Sequence, residues 1–311
     1  MTAASNVLTE NRSLLRQGDS FACIARRLGR HWDKSSWKKK AGEMRLLGTL
    51  IGKGKAQPSD VAHGPSSLPA PQQPVFVVGD VHGRADLLEQ VLELIDREIG
   101  AYRLKDPKLV FVGNLLDHGP ASAQVIARMR ELTAEFPANV ICLLGNHEQM
   151  LLDFLEAPVA RHSRWLKDGA SATFASYGLE IGGGTIDRTN AEEAAAALHN
   201  AMGDDAIAWL GARPLMVSSG TLHVVHAAAD PRRPLDDQTA RVLTWGHPEF
   251  LGVARGDGQW VAHGHAAFDH PHLKDSRISV NTDAWQSGVL SAAMILPSGQ
   301  VGFVQTAAGT A

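Results

Sequence analysis

Three unbroken apolar runs, at 75–78, 109–112 and 140–144, stand out along the chain. A short polar segment rich in glycine follows each. Runs of four or five apolar residues without alternation predict strands covered on both faces. Between the first two runs, Leu87, Leu88, Val91, Leu92 and Ile95 recur at helical spacing. Between the second and third, Val125, Ile126, Met129 and Leu132 do the same. Strands that alternate with amphipathic helices predict a parallel sheet. Residues 151–216 read as mainly helical, as over 191–202. Strands return at 222–225, 260–262, 278–280, 289–295 and 301–304.

The N-terminal part has a different texture. Residues 7–48 predict three short helices: one over 7–17, one capped by Ser20 and stopped at Gly29, and one capped by Asp33 or Ser35. On the third, Trp37, Ala41, Met44 and Leu47 share one face, and Lys34, Lys38, Lys39 and Arg45 occupy the other. Residues 53–74 hold five prolines and almost no apolar periodicity, which predicts a mobile linker. The expected organisation is a basic, all-α three-helix domain over 1–52, a Pro-rich linker over 53–74 and an α/β domain over 75–311.

Charge sharpens this division. The net charge of −3 hides twelve Lys/Arg against four Asp/Glu in residues 1–57, and eighteen against twenty-nine in the remainder. A basic module joined to an acidic one is the expectation. The words Ile24-Ala25-Arg26-Arg27-Leu28-Gly29-Arg30, Ser35-Ser36-Trp37-Lys38-Lys39-Lys40 and Leu46-Leu47-Gly48 resemble Myb/SANT-like helix-turn-helix modules. That resemblance implies DNA contact, with Lys34, Lys38, Lys39 and Arg45 on phosphates. A helix bundle that docks protein is the alternative. The two cysteines, Cys23 and Cys142, fall in different domains, which disfavours a structural disulfide and fits a reducing compartment. No stretch approaches the ~20 apolar residues of a membrane span, and the N-terminus has no basic-then-apolar signal pattern. The expectation is a cytoplasmic protein with no membrane partner.

Candidate chemistry gathers just beyond the predicted strands, where functional groups of parallel sheets collect. The first run leads into Gly79-Asp80-Val81-His82-Gly83-Arg84 and the second into Gly113-Asn114-Leu115-Leu116-Asp117-His118-Gly119-Pro120. The third leads into Gly145-Asn146-His147-Glu148. His226 ends the run at 222–225, and His265 closes His263-Gly264-His265. Asp80 and His82, one residue apart on a glycine-flanked turn, can grip one ion. A mixed Asp/His/Asn set suits Mn²⁺, Fe or Zn²⁺ better than Ca²⁺. One histidine after a strand is usually structural, but a series of them at successive strand ends is not readily explained that way.

With Val225-His226-Ala227 and the stretch around Asn281-Thr282-Asp283-Ala284-Trp285, these motifs resemble calcineurin-like metallophosphoesterases. The resemblance is specifically to the bacterial branch of the PPP-type serine/threonine protein phosphatases; Arg164-Trp165-Leu166 and Ala175-Ser176-Tyr177-Gly178 lie where it has similar words. The resemblance spans residues 75–306 and implies a four-layer αββα sandwich. It implies two divalent ions, Mn²⁺ foremost with Fe or Zn²⁺ as alternatives. Asp80 and His82 would hold the first ion, Asn146, His226 and His265 the second, and position 114 would bridge them. His147, held by Asp117, would give a proton to the leaving alkoxide. Asn146, His118, His247 and Arg84 would contact phosphate.

Three positions depart from that pattern. Asn114 stands where the resemblance expects a bridging aspartate, and an amide brings one neutral oxygen where a carboxylate brings two anionic ones. His118 and His247 stand where relatives carry arginines, whose bidentate fork a histidine lacks. Asn281 and Asp283 also replace an Asp-Thr-Gly pattern. Gly182-Gly183-Gly184 lacks the Lys-Ser/Thr of a phosphate loop and reads as a surface turn; His270 and His272 read as loop residues. The first functional expectation is hydrolysis of phosphomonoesters, foremost phosphoserine and phosphothreonine in proteins, with activity lowered by Asn114. The alternatives are a dinucleoside polyphosphate hydrolase and a non-catalytic binder of phosphate or a partner.

Overall fold

The computed structural model describes residues 68–180 and 186–307. The three helices expected over 7–48, with Lys34, Lys38, Lys39 and Arg45, lie outside these residues, as do Cys23 and the turn at 182–184. The apolar runs form β1 (Val75–Val78), β2 (Lys108–Phe111) and β3 (Val140–Cys142). Helix α1 (Ala85–Tyr102) and helix α2 (Ser122–Glu135) connect them, and the three strands pair in parallel, as the alternation predicts. Val78 pairs with Phe111 and Phe111 with Cys142, so the strands end level.

Five helices follow: α3 (Asn146–Glu156), α4 (Pro158–Lys167), α5 (Ala170–Ser176), α6 (Ala191–Met202) and α7 (Asp204–Gly211). A second sheet holds β4 (Met216–Ser219), β5 (Leu222–Val225), β6 (Trp260–His263), β7 (His272–Lys274) and β8 (Arg277–Ser279). Helices α8 (Ala240–Trp245) and α9 (Ala284–Ser287) leave its loops. Strands β9 (Ser291–Ile295) and β10 (Val301–Gln305) then return to the first sheet, β9 antiparallel to β1 and β10 antiparallel to β9. The sheet orders are β10-β9-β1-β2-β3 and β4-β5-β6-β8-β7. In the second sheet Val225 pairs with His263, and His263 with Ser279, so its parallel strands also end level.

The sheets meet through one core. Val75, Val77 and Val110 pack with Leu222, Val224 and Ile278. Alternation turns Phe76 and Val78 to the opposite face, where they are equally buried. This double burial explains why β1 is apolar without a break, and each such side chain contributes roughly 1.5–3 kcal/mol. A separate core under α3 to α7 centres on Phe154, Trp165 and Phe174. Helices flank the two mixed sheets, which is the expected α/β sandwich.

The structure corrects several expectations. Both sheets are mixed rather than purely parallel. β4 and β7 were not legible: β4 is only partly buried, and β7 is a short polar edge strand that begins at His272. The strand expected from 289 begins at Ser291. The end of the proline-rich stretch is docked rather than mobile, with Pro69 and Pro71 buried. There the Ala70 amide donates to Thr221 Oγ1 (2.9 Å) and the Gln72 amide to Ser219 Oγ (2.9 Å). Cys142 is a buried free thiol. Among the described residues, no helix is long and apolar enough to cross a membrane.

Candidate metal centre

The level strand ends bring the sequence-predicted ligands together from both sheets. Asp80 and His82 follow β1, Asn114 follows β2, and Asn146 opens α3 after β3; His226 follows β5 and His265 follows β6. All except the partly buried His265 are buried. The backbone is bent to aim them. His82, Asn114, Asp117, His118 and His265 hold φ between 44° and 72°, a region that L-residues avoid. Such conformations cost on the order of 1–3 kcal/mol each and gather at functional sites. Close packing demands glycine beside them: a Cβ at Gly145 would collide with the Asn114 amide, and one at Gly264 with the Asp80 carboxylate.

Asn114 sits at the middle of the set. Its Oδ1 accepts from the His147 backbone N–H (3.2 Å), which turns the amide nitrogen toward the ligands. Nδ2 donates to Asp80 Oδ2 (2.9 Å) and Asn146 Oδ1 (3.2 Å) and lies 3.5 Å from His82 Nε2. The resemblance expects a carboxylate oxygen here; this chain presents an N–H donor. Glu148 fixes the turn, accepting from the backbone N–H groups of Asn114 (2.8 Å), Leu115 (2.7 Å) and Gly145 (3.0 Å). Burial pushes Glu148 up to about 7 against these donors.

The histidine tautomers follow from their partners. His82 Nδ1–H donates to the Leu116 carbonyl (2.9 Å) and His226 Nδ1–H to the Val112 carbonyl (2.9 Å), so each Nε2 keeps its lone pair. Burial drives both imidazoles well below their ordinary pKa and holds them neutral. His226 Nε2 therefore meets Asn146 Oδ1 at 2.8 Å with no proton between them. His265 Nδ1 approaches the same oxygen at 3.2 Å, and its backbone N–H reaches Asp80 Oδ1 (3.1 Å). Lone pairs converging on one point are what a cation would relieve, and their spacing matches neighbouring ligands around an ion with bonds of about 2.0–2.2 Å. Burial also lifts Asp80 to about 7, a cost that a bound cation would offset.

Beside this set lies a second constellation. His147 Nδ1 is 2.7 Å from Asp117 Oδ2, which also accepts from Trp165 Nε1–H (2.7 Å). Thr173 Oγ–H donates to Asp117 Oδ1 (2.5 Å). Burial pushes Asp117 upward, but donors aimed at both oxygens favour the carboxylate and a proton on His147 Nδ1. Burial and neighbouring His118 lower the affinity of His147 for a second proton. Trp165, Thr173 and Glu148 were not assigned roles from sequence. Glu148 had a signal, an acid at the third position of a helix that opens on glycine; Trp165 and Thr173 lie too far along the chain to be paired with Asp117 by spacing.

The phosphate candidates divide. His118 stacks on Trp285 (4.4 Å between centroids, 12° between planes) beside His82 and His147. Arg84 is committed to Asp86 (2.7 Å) and to the Ala284 carbonyl (3.1 Å), at the rim that carries Trp285. His247 faces Asp230 (3.7 Å), and its Nδ1 accepts from the Glu249 backbone N–H (3.3 Å). His272 packs against the His270 carbonyl (3.2 Å) and Phe268.

A metal-type ligand set with an acid–base pair beside it, at the strand ends of a sandwich, defines a metallophosphoesterase arrangement. Residues 73–267 match the calcineurin-like phosphoesterase family, and the chain belongs to that family. Members of this family use divalent metals. The chain is 38% identical over 82 residues to the symmetrical bis(5'-nucleosyl)-tetraphosphatase of Legionella pneumophila (strain Lens), covering 26% of each protein. It is 36% identical over 95 residues to serine/threonine-protein phosphatase 1 of Salmonella typhimurium, covering 30% of this chain and 38% of that one. The alignments thus span well under half the length of these curated relatives. Among solved structures, one assigned to a diadenosine tetraphosphatase superposes with a TM-score of 0.51 at 23% identity, covering 78% of this chain and 98% of that one. A serine/threonine phosphatase of Saccharomyces cerevisiae gives 0.50 at 15% identity, covering 79% and 85%. These likenesses establish the fold.

Proposed function

We propose that this chain hydrolyses phosphomonoesters, with phosphoserine and phosphothreonine in proteins as its first substrate class, and that Asn114 lowers its activity. The observation that carries the reading is the Asp117–His147 pair (2.7 Å) set beside the convergent Asp80, His82, Asn146, His226 and His265. Asp80 and His82 would hold one divalent ion and Asn146, His226 and His265 another, with the Asn114 amide standing between them in place of a bridging carboxylate. Bound ions would polarise the phosphoryl oxygens and acidify the attacking water. The chain's own residues handle the leaving group. Asp117 keeps His147 in the Nδ1–H tautomer and stabilises its charged form, so that Nε2 can carry a proton to the departing oxygen. His118 offers a single donor to a phosphate oxygen where an arginine would offer two.

A second reading, hydrolysis of a dinucleoside polyphosphate, is supported by the Legionella relative and by the aromatic face of partly buried Trp285 at the rim. A non-catalytic binder is the third, supported by Asn114 Nδ2 occupying the ligand side of its turn.

The test is bound metal and Mn²⁺-dependent turnover of a generic aryl phosphate, for the chain and for Asn114→Asp. The expected result is two ions and a large gain in turnover for Asn114→Asp. If Asn114→Asp holds two ions and stays inert, the hydrolase reading is wrong.

A further inference from the structure

The phosphoesterase reading uses His118 only as a single donor to phosphate, which leaves its capacity as a metal ligand aside. Position 118 contributes a histidine where the resemblance expects an arginine, and it does so beside two other histidines. One ring nitrogen from each of His82, His118 and His147 lies within 4.8 Å of the other two. From this geometry we propose an alternative metal site, made of His82, His118 and His147, that binds a borderline-soft divalent ion such as Zn²⁺.

Each ring is positioned by a partner other than the ion. His82 spends its Nδ1–H on the Leu116 carbonyl (2.9 Å), which leaves Nε2 as the lone pair toward its neighbours. His147 spends its Nδ1–H on Asp117 (2.7 Å), which is itself fixed by Trp165 and Thr173. A carboxylate behind a histidine is the arrangement that orients metal-bound imidazoles and strengthens them as donors. His118 is held by its stack on Trp285, and its φ of 61° turns the chain there. Gly169 packs against the back of its ring, where a Cβ would strike Nδ1 (2.6 Å).

Three imidazole nitrogens with an open fourth position suit tetrahedral Zn²⁺. Bonds of about 2.0–2.1 Å set ligand atoms ~3.3 Å apart, so the rings would draw inward on binding. An arginine at 118 would repel the ion. The phosphoesterase centre, by contrast, has lost its bridging anion at Asn114, so Asp80 is the one carboxylate among its six ligand candidates. His82 and His147 are claimed by both arrangements, so an ion on the three histidines excludes the one that Asp80 and His82 would hold and leaves Asn146, His226 and His265 to theirs. An ion on His147 Nε2 takes the lone pair that would carry the leaving-group proton. The tris-histidine site thus withholds the acid.

The test uses the full chain without substrate, and therefore stands or falls independently of any hydrolase activity. Co²⁺ replaces Zn²⁺, because a four-coordinate Co²⁺ ion gives intense visible bands. The expected result is one Co²⁺ with that signature. It should be weakened at least ~10-fold by His118→Ala and by His118→Arg, and also by Asp117→Asn through the ring it orients. It should be retained in His226→Ala, which removes a ligand of the phosphoesterase set only. His118→Arg puts the resemblance's own residue in place and guards against simple misfolding, as does a thermal melt of each variant. Unchanged Co²⁺ affinity and spectrum in both folded His118 variants overturns the proposal. So does loss of the four-coordinate signature in folded His226→Ala.

Discussion

Asp117, which holds His147, and the Asn114 amide stand on the same turn after β2, yet the protein completes one and leaves the other open. Asp117 is fully buried and accepts from Trp165, Thr173 and His147 within 2.7 Å. Nothing from outside is needed to satisfy it. Around Asn114 the balance differs. Its amide donates to Asp80 and Asn146, while the lone pairs of His226 and Asn146 face each other at 2.8 Å. One half is organised by hydrogen bonds inside the chain, and the other is organised for a cation. Changes to the first half should therefore alter turnover and spare Mn²⁺ content, and changes to the second should do the reverse.

Asp117→Asn puts the largest strain on this distinction. An amide at 117 presents an N–H or an oxygen to His147 but no charge, so the ring loses both its tautomer and its stabilised charged form. We expect kcat to fall ~10²- to 10⁴-fold, the usual worth of a positioned proton donor. Mn²⁺ content, read by elemental analysis, should not change. Parallel loss of Mn²⁺ would mean that the halves are one unit.

Glu148 links the halves, and its effect on stability has a definite sign. Burial raises its folded pKa to about 7 from an ordinary value of 4.5, so the folded state binds the proton more tightly than the unfolded one. In metal-free protein this group favours folding below pH 4.5, and that advantage is lost as pH rises to about 7. The loss is about 3 kcal/mol at most. Glu148→Gln should flatten that slope in urea unfolding measured with a chelator. It should also lower the plateau, because one amide oxygen replaces two carboxylate oxygens under three N–H donors. An unaltered slope would assign the pH dependence elsewhere.

Much of this architecture was legible because it is local. β1, β2 and β3 are apolar on both faces, so continuous runs betray them, and Asp80, Asn114, Asn146 and His226 sit within a few residues of strand ends. What stayed hidden depends on contacts distant in sequence or on weak patterns. Trp165 and Thr173 reach Asp117 across 48 and 56 residues, and no spacing rule links them. β9 and β10 read as strands, but the antiparallel pairing of β9 with β1 and of β10 with β9 was decided by tertiary packing. Residues 68–74 look like linker by composition, yet two buried prolines and two hydrogen bonds to the second sheet dock them. The resemblance places His247 among the phosphate contacts, and no spacing in the sequence announces its contact with Asp230 (3.7 Å).

The open half yields a smaller effect that changes sign with conditions. With a chelator present, Asn114→Asp sets a second carboxylate against Asp80 and removes two donated hydrogen bonds. That should destabilise the protein by on the order of 1–3 kcal/mol. With Mn²⁺ in excess the same carboxylate gains cations to bind, and the variant should melt above the parent chain. Thermal melts under both conditions read the sign directly. Destabilisation of equal size in both would show that the Asn114 pocket is organised without reference to a cation.

The smallest effect belongs to the completed half. Trp165→Phe keeps an aromatic ring against Phe154 (5.3 Å) and Phe174 (5.7 Å) and removes one donor from Asp117 Oδ2. The expected cost is about 0.5–1.5 kcal/mol of stability, with kcat reduced about threefold to tenfold through a less firmly held Asp117. Thr173→Val removes the donor at Oδ1, while the Asp117 backbone N–H keeps Ser122 Oγ (3.1 Å) as acceptor. Because both donors act on one carboxylate, the double variant should lose more turnover than the product of the single losses. Strict additivity in that cycle would make Trp165 and Thr173 packing residues that happen to touch Asp117, and would leave His147 oriented by the carboxylate alone.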